Sequence, residues 1–219
     1  TKNYMYPRYN AFGEVIPGSE PSFDFNIPQN TLISYYGRLN YQYKEKYVLT
    51  ATVRRDGSSR FSEENRWAIF PSAAFAWKIG EESFMANAEK VSDLKLRVGY
   101  GVTGQQDGIG NYGYITAYRL GDPAVLYPFG DTWRIPVYPK PADKNRKWEE
   151  TATFNVGIDY GFFDNRLFGS LDVYRKETTD LLNNVNIPLG SNFASTITRN
   201  IGSMENKGVE LAINAIPVQ

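Results

Sequence analysis

Glu149 and Glu150 stand side by side in the segment KWEETATF, and two carboxylates are the minimum equipment for acid/base cleavage of a glycosidic bond. The segment alternates in polarity as a strand does, so neighbouring side chains point to opposite faces and the two cannot flank one bond. GQQDGIG (104–110) has the glycine content of a phosphate-cradling loop. It lacks both the Lys-Ser/Thr ending and a strand-to-helix setting, which leaves a tight turn as its reading. Asp56, Asp107 and Asp122 carry oxygens hard enough for calcium, yet they form no EF-hand series. With no His and no Cys anywhere in the chain, the usual zinc ligands, a Ser-His triad and a Cys nucleophile are all missing. The sequence therefore predicts no enzyme, no cofactor and no metal centre.

Twenty-four basic residues balance twenty-four acidic ones, so the basic footprint of a nucleic-acid binder is absent. Thirty-three aromatics, sixteen of them Tyr, are a heavy load. Tyr pairs an apolar body with a polar tip and suits a boundary between dry and wet surroundings. No apolar run approaches the roughly 20 residues of a membrane-spanning helix, and the opening TKNYMYPRYN has no signal-peptide pattern. A β-barrel is not excluded, because a spanning strand needs only about 9 to 11 residues and its alternation escapes hydropathy averages.

Residues 1–30, rich in Pro and Gly, predict a long irregular loop, and strands occupy 31–219. Leu39, Tyr41 and Tyr43 alternate with Arg38, Asn40 and Gln42, and a KEK turn reverses the chain into Tyr47, Leu49, Ala51 and Val53. Asp56-Gly57 signals a second reversal and opens a polar loop over 55–66. WAIFPSAAFAWKI (67–79) is a third strand, in which Pro71 demands an edge, a bulge or a tolerant neighbour. Between Gly80 and Asp93 the period lengthens behind Glu81 and Glu82, predicting one short helix. LKLRVGYGV (94–102) alternates strictly. A long loop follows over 103–147, with one possible strand at 113–119. Two strands around a turn at Asp164-Asn165 turn Phe154, Val156, Ile158 and Tyr160 one way and Asn155 and Asp159 the other. A polar loop over about 180–206 leads to a final strand, GVELAINAI.

The connections alternate between compact and long, as in a barrel whose two rims do different jobs. At the compact end lie Tyr41, Tyr43, Tyr47, Trp77, Tyr160 and Phe162, where an aromatic girdle at a membrane boundary would sit. These observations predict an all-β, antiparallel transmembrane β-barrel segment with its apolar face toward lipid and its polar face toward a wet lumen. Periodicity alone equally fits a soluble sandwich or propeller serving as a cell-surface carbohydrate-binding or adhesion module.

Three phrases go further: RRDGSSRFSEENRWAIFPSAAFAWKI (54–79), LKLRVGYGVTGQQDGIGNYGY (94–114) and NIGSMENKGVELAINA (200–215). In type and order they closely resemble the barrel of SusC/RagA-type TonB-linked outer membrane transporters of Bacteroidota, and the resemblance covers nearly everything after residue 30. It implies a 22-stranded barrel of the Gram-negative outer membrane with an internal plug, energised through TonB. Such a barrel imports oligosaccharides or peptides beneath a SusD-like surface lipoprotein. The chain departs from that plan in showing no plug domain, no TonB-contacting segment and only seven to nine candidate strands, and so looks like an excerpt.

Arg38, Arg54, Arg97, Asp159, Asp172 and Glu210 share the lumen-facing side of this pattern and are candidates to contact plug or solute. Tyr127, Trp133 and Tyr138 are the loop candidates for a ligand or partner, since an exposed ring offers a flat apolar surface to a sugar or a protein.

Overall fold

The computed structural model of the chain describes residues 29–122 and 124–217, so the expected loop at the start lies almost wholly outside the described residues. In chain order the strands are β1 (Leu32–Tyr43), β2 (Tyr47–Ser58), β3 (Trp67–Lys78), β4 (Val91–Gln105), β5 (Tyr118–Leu120), β6 (Tyr127–Phe129) and β7 (Thr132–Arg134). They continue with β8 (Val137–Pro139), β9 (Glu149–Phe162), β10 (Leu167–Thr179), β11 (Leu182–Asn186), β12 (Thr196–Asn200) and β13 (Ser203–Ala215). Seven of them form one antiparallel sheet in the order β1-β2-β3-β4-β9-β10-β13. The sheet is open, with β1 and β13 at its edges.

Register turns the alternation of each strand into two continuous faces. The row Tyr43, Tyr47, Trp77, Leu96, Ile158, Leu171, Leu211 crosses all seven strands, and the next begins Tyr41, Leu49, Phe75, Val98, Val156. One step along, the row is Gln42, Val48, Ala76, Arg97, Gly157, Asp172, Glu210. Among the described residues the apolar face has no second layer over it: Leu39 is 60% exposed and Leu211 62%. Uncovered apolar patches on soluble monomers stay within a few hundred Å², so an apolar face seven strands wide excludes the sandwich reading.

Tight turns at one end fix this register. Lys44 and Glu45 both have positive φ, with the Lys46 N–H donating to the Tyr43 carbonyl, the backbone of a hairpin that matches strand twist. Phe163, Asp164 and Asn165 turn the chain in the same left-handed region. Pairing of β3 with β4 begins at Ser72 opposite Gly101, the residue after Pro71, whose nitrogen has no hydrogen to give a ladder.

Several expectations are corrected. Asp56-Gly57 is not a reversal but part of β2, paired to β1 and β3. The glycine is required because a Cβ there would meet the Trp67 ring at 2.7 Å. The single helix over 80–93 is instead two 3-10 turns, Ile79–Glu81 and Ser83–Met85, with extended Glu82 between them; the Glu82 carboxylate is held by the neighbouring hairpin, which keeps its backbone from coiling. Residues 103–147 are not one loop with a strand at 113–119: β4 runs on to Gln105, and the segment carries the ribbons β5–β8 and β6–β7. The 180–206 loop holds the β11–β12 ribbon, and the final strand starts at Ser203.

The buried core lies at the long-loop end. Phe61, Phe70, Ile109 and Trp148 cluster there, with Ala68, Val102 and Leu182 packed against them. Gly104 opposite Phe70 leaves the space that this ring fills.

Candidate functional site: polar wall, loop body and short-turn girdle

Three of the six polar-face candidates meet. Arg97 donates to both Asp159 (2.7 Å from Nη2) and Asp172 (3.0 Å), while Lys95 reaches Asp159 at 2.7 Å. Register explains it: Arg97, Gly157 and Asp172 share one row across β4, β9 and β10. Gly157 lies between the charged pair, and a Cβ there would collide with Asp172 and approach the Arg97 guanidinium to 2.8 Å. Two cations and two carboxylates cancel within the cluster. Glu210 sits beside Asp172 on β13 and has no ion pair among the described residues. Arg38 stands apart, donating to the Thr52 hydroxyl at 3.1 Å, and Arg54 pairs with Asp56 at 2.7 Å.

The cluster is partly wet, with side-chain exposures of 17–35%, so its energetics fall between those of a surface and a buried bridge. Arg97→Leu should cost about 1–3 kcal/mol, because two carboxylates then share one lysine. Denaturant titration of Arg97→Leu, Asp172→Asn and the double variant checks this, and strictly additive losses would show that the two groups do not interact.

The long-loop end forms one body. Arg146, only 4% exposed, donates to the Thr198 carbonyl at 2.8 Å, and its guanidinium occupies the space left by the missing side chain of Gly113. The Lys147 N–H donates to the Asn200 side chain, whose amide returns a bond to the Lys147 carbonyl, both 2.8 Å. Ser62 and Asn65 donate to the Lys144 carbonyl, and the Trp148 indole to that of Arg66. Three connections, 59–66, 106–148 and 180–202, are thereby joined.

This body decides the fate of the loop candidates. Tyr138 packs on Phe193 with ring centroids 4.9 Å apart, a brace between two connections. Tyr127 and Trp133 lie on the β6–β7 ribbon, 61% and 66% exposed, with Phe129 beside Tyr127 at 65% and Trp133 opposite Pro128 on the other face. Phe129 went unrecognised in the sequence, although its spacing of two from Tyr127 puts both rings on one face. Glu149 is spent on a local task, accepting the Leu182 N–H at 3.0 Å. The candidate calcium aspartates lie apart: Asp56 pairs with Arg54, Asp107 approaches Arg60 at 3.6 Å, and Asp122 accepts the Ala124 N–H.

At the short-turn end, Tyr47 stacks between Tyr43 and Trp77 with centroids 6.4 and 6.3 Å away, and Tyr160 contacts Phe162. The polar tips of Tyr47 and Trp77 converge with Lys46 on Glu82, which accepts from the Tyr47 hydroxyl (2.6 Å), the Lys46 ammonium (3.0 Å) and the Trp77 indole (3.1 Å). Those donors, Tyr47 foremost, then Lys46 and Trp77, hold the Glu82 carboxyl down to about 2 from an ordinary 4.5. A carboxylate depressed on folding stabilises above its unfolded pKa and ceases to as pH falls through the folded one. The stability advantage of the native chain over Glu82→Gln should accordingly be full above pH 4.5 and fade toward about 2. Melting both proteins across that range checks it, and a gap independent of pH would refute the coupling.

The comparisons with known proteins agree with this geometry. A family model described as "TonB dependent receptor-like, beta-barrel" matches residues 1–215. The chain is 50% identical over 190 residues to the TonB-dependent receptor SusC of Bacteroides thetaiotaomicron, covering 87% of this chain and 19% of that receptor. The RagAB peptide importer in its closed-closed state superposes with a TM-score of 0.74 at 30% identity, over 86% of this chain and 20% of that one. The siderophore receptor PirA of Pseudomonas aeruginosa, at 16% identity and a TM-score of 0.54 over 83% of this chain and 30% of its own, shares the fold alone. The chain spans about a fifth of the length of the curated relatives it matches. These relatives are receptors and importers rather than enzymes, in keeping with a sequence that has no His and no Cys. An open antiparallel sheet with one lipid-type face, one polar face, a girdle and elaborated loops at one rim only is a stretch of transmembrane barrel wall, and the chain belongs to the TonB-dependent receptor β-barrel family, in its SusC/RagA group.

Proposed function

We propose that this chain is wall and loop body of a SusC-like, TonB-dependent importer in the outer membrane of a Gram-negative bacterium. Residues 31–219 supply strands and extracellular loops, while a plug and a TonB-contacting segment are supplied by sequence outside these residues. The solute is an oligosaccharide or a peptide, admitted beneath a SusD-like lipoprotein and passed inward with no chemistry performed on it. What carries the reading is the two-faced sheet: its uncovered apolar rows suit acyl chains, and its opposite face bears the Arg97, Asp159 and Asp172 cluster, as a water-filled lumen allows. Tyr127, Trp133 and Phe129 on the projecting ribbon are proposed to meet solute or lipoprotein, and Arg38, Arg54 and Glu210 to meet plug or solute.

Uptake by cells carrying the full-length receptor tests the reading. Labelled oligosaccharides and peptides should enter in a TonB-dependent manner, and the receptor should co-purify from outer membranes with a surface lipoprotein. Recovery of the receptor as a soluble protein, or uptake indifferent to loss of TonB, would reject it.

A further inference from the structure

On the apolar face, at the end opposite the Glu82 girdle, stands a cation without an acidic partner among the described residues. Arg55 follows Leu49, Ala51 and Val53 along the lipid-type side of β2, between Tyr35 of β1 and Ile69 of β3. Its guanidinium lies over the Trp67 ring, 4.8 Å from the centroid. The Trp67 ring is pressed onto Gly57 and stacked on Tyr35 at 6.0 Å and 21°. Arg54, one residue earlier, points to the other face and is bonded to Asp56. No carboxylate lies within ion-pair distance of Arg55 among the described residues, whereas Arg175 and Lys207 of the same face share Glu205. Arg55 is exposed.

Its height is set by the strand. Eight residues separate Arg55 from Tyr47 of the lower girdle, roughly 26 Å along a strand, or roughly 20 Å across the membrane at a tilt of about 40°. The apolar band of an outer-membrane barrel is about 25 Å tall and bounded by aromatics on both sides. Tyr35 and Trp67 are thus the upper boundary, and Arg55 is a fixed positive charge where acyl chains give way to headgroups. Contact with the Trp67 ring holds the guanidinium against the wall while Arg55 stays exposed, and a guanidinium presents a planar fork of donors suited to phosphate.

The geometry points to Arg55, framed by Trp67 and Tyr35, as a docking site for the phosphate of a membrane lipid headgroup at the long-loop rim. The inference rests on the barrel reading proposed above and adds a lipid ligand to it.

The test places the full-length receptor in nanodiscs of phosphatidylcholine with spin-labelled lipids whose label lies near the headgroup. Quenching of Trp67 is isolated as the difference between each protein and its Trp67→Phe counterpart. Spin-labelled phosphatidylglycerol should be preferred over spin-labelled phosphatidylcholine beside Trp67 about fivefold, the worth of one basic side chain at a membrane surface. Arg55→Gln should bring the ratio close to one, and Arg55→Lys should retain most of it. An equal ratio in Arg55→Gln and the native receptor overturns the site. Erasure of the preference by millimolar inorganic phosphate overturns its assignment to a lipid. A receptor that fails to enter nanodiscs at all overturns the barrel reading instead, a result distinct from insertion without preference.

Discussion

Replacement of Trp148 by alanine is expected to remove about 3–5 kcal/mol of local stability from the loop body, the range for emptying a buried tryptophan site. Trp148 is 4% exposed, lies 5.1 Å from the Phe61 ring and 5.6 Å from that of Phe70, and ties its indole N–H to the Arg66 carbonyl. The loss should be regional. The sheet is held by its own ladders, whereas residues 59–66, 106–148 and 180–202 have this one core to share. Hydrogen exchange is the appropriate measurement: the amides of Ser58 and Leu182, bonded to Arg66 and Glu149, should lose protection by a factor of order 10² or more. Amides in the middle of β9 and β10 should change little. Uniform loss across the sheet, or no loss at the loops, would contradict a separate loop core.

Arginine at Val98 is the second large effect, about 1–3 kcal/mol for a side chain one row inside the girdle, between the small cost at the interface and the larger one at the middle of the bilayer. Val98 lies between Phe75 and Val156 in register, with Val173 and Val209 continuing the row, so the charge would stand among apolar side chains with no acidic residue in its own row. Leu96 belongs to the row of Tyr43, Tyr47 and Trp77. Arginine there can reach the headgroups, and the cost should be smaller than at Val98. Lys95 on the opposite face tolerates arginine because Asp159 awaits either cation. Denaturation of the receptor in lipid bilayers gives the three values, and equal tolerance at 95, 96 and 98 would overturn the assignment of faces.

The seven strands of the main sheet were legible because each repeats a period of two over twelve or more residues, and the turns at 44–46 and 164–165 because charged or polar residues interrupt that period. The Asp56-Gly57 reversal failed for a reason confined to packing. Asp-Gly is a turn signal when glycine is needed for positive φ, but here it is needed for the close approach of Trp67. The helix expected after Gly80 failed because acidic residues suggested an N-terminus, while the fold uses Glu82 as an acceptor for Tyr47, Lys46 and Trp77. Of the polar-wall candidates, the sequence could place all six on one face but could not say that Arg97, Asp159 and Asp172 meet while Arg38 and Arg54 stand elsewhere. Partner choice depends on register between strands more than fifty residues apart.

By itself, then, the sequence determined that the chain is a set of two-faced strands with neither His nor Cys, since periodicity and composition are local properties that each segment carries alone. The tertiary structure decided which side chains become neighbours: the charge cluster, the hydrogen-bonded loop body, Tyr138 braced on Phe193 while Trp133 stays exposed, and Arg55 on the Trp67 indole with no acidic partner among the described residues. Those are contacts between segments distant in the chain, and their energies depend on strand register and loop packing that no single segment encodes.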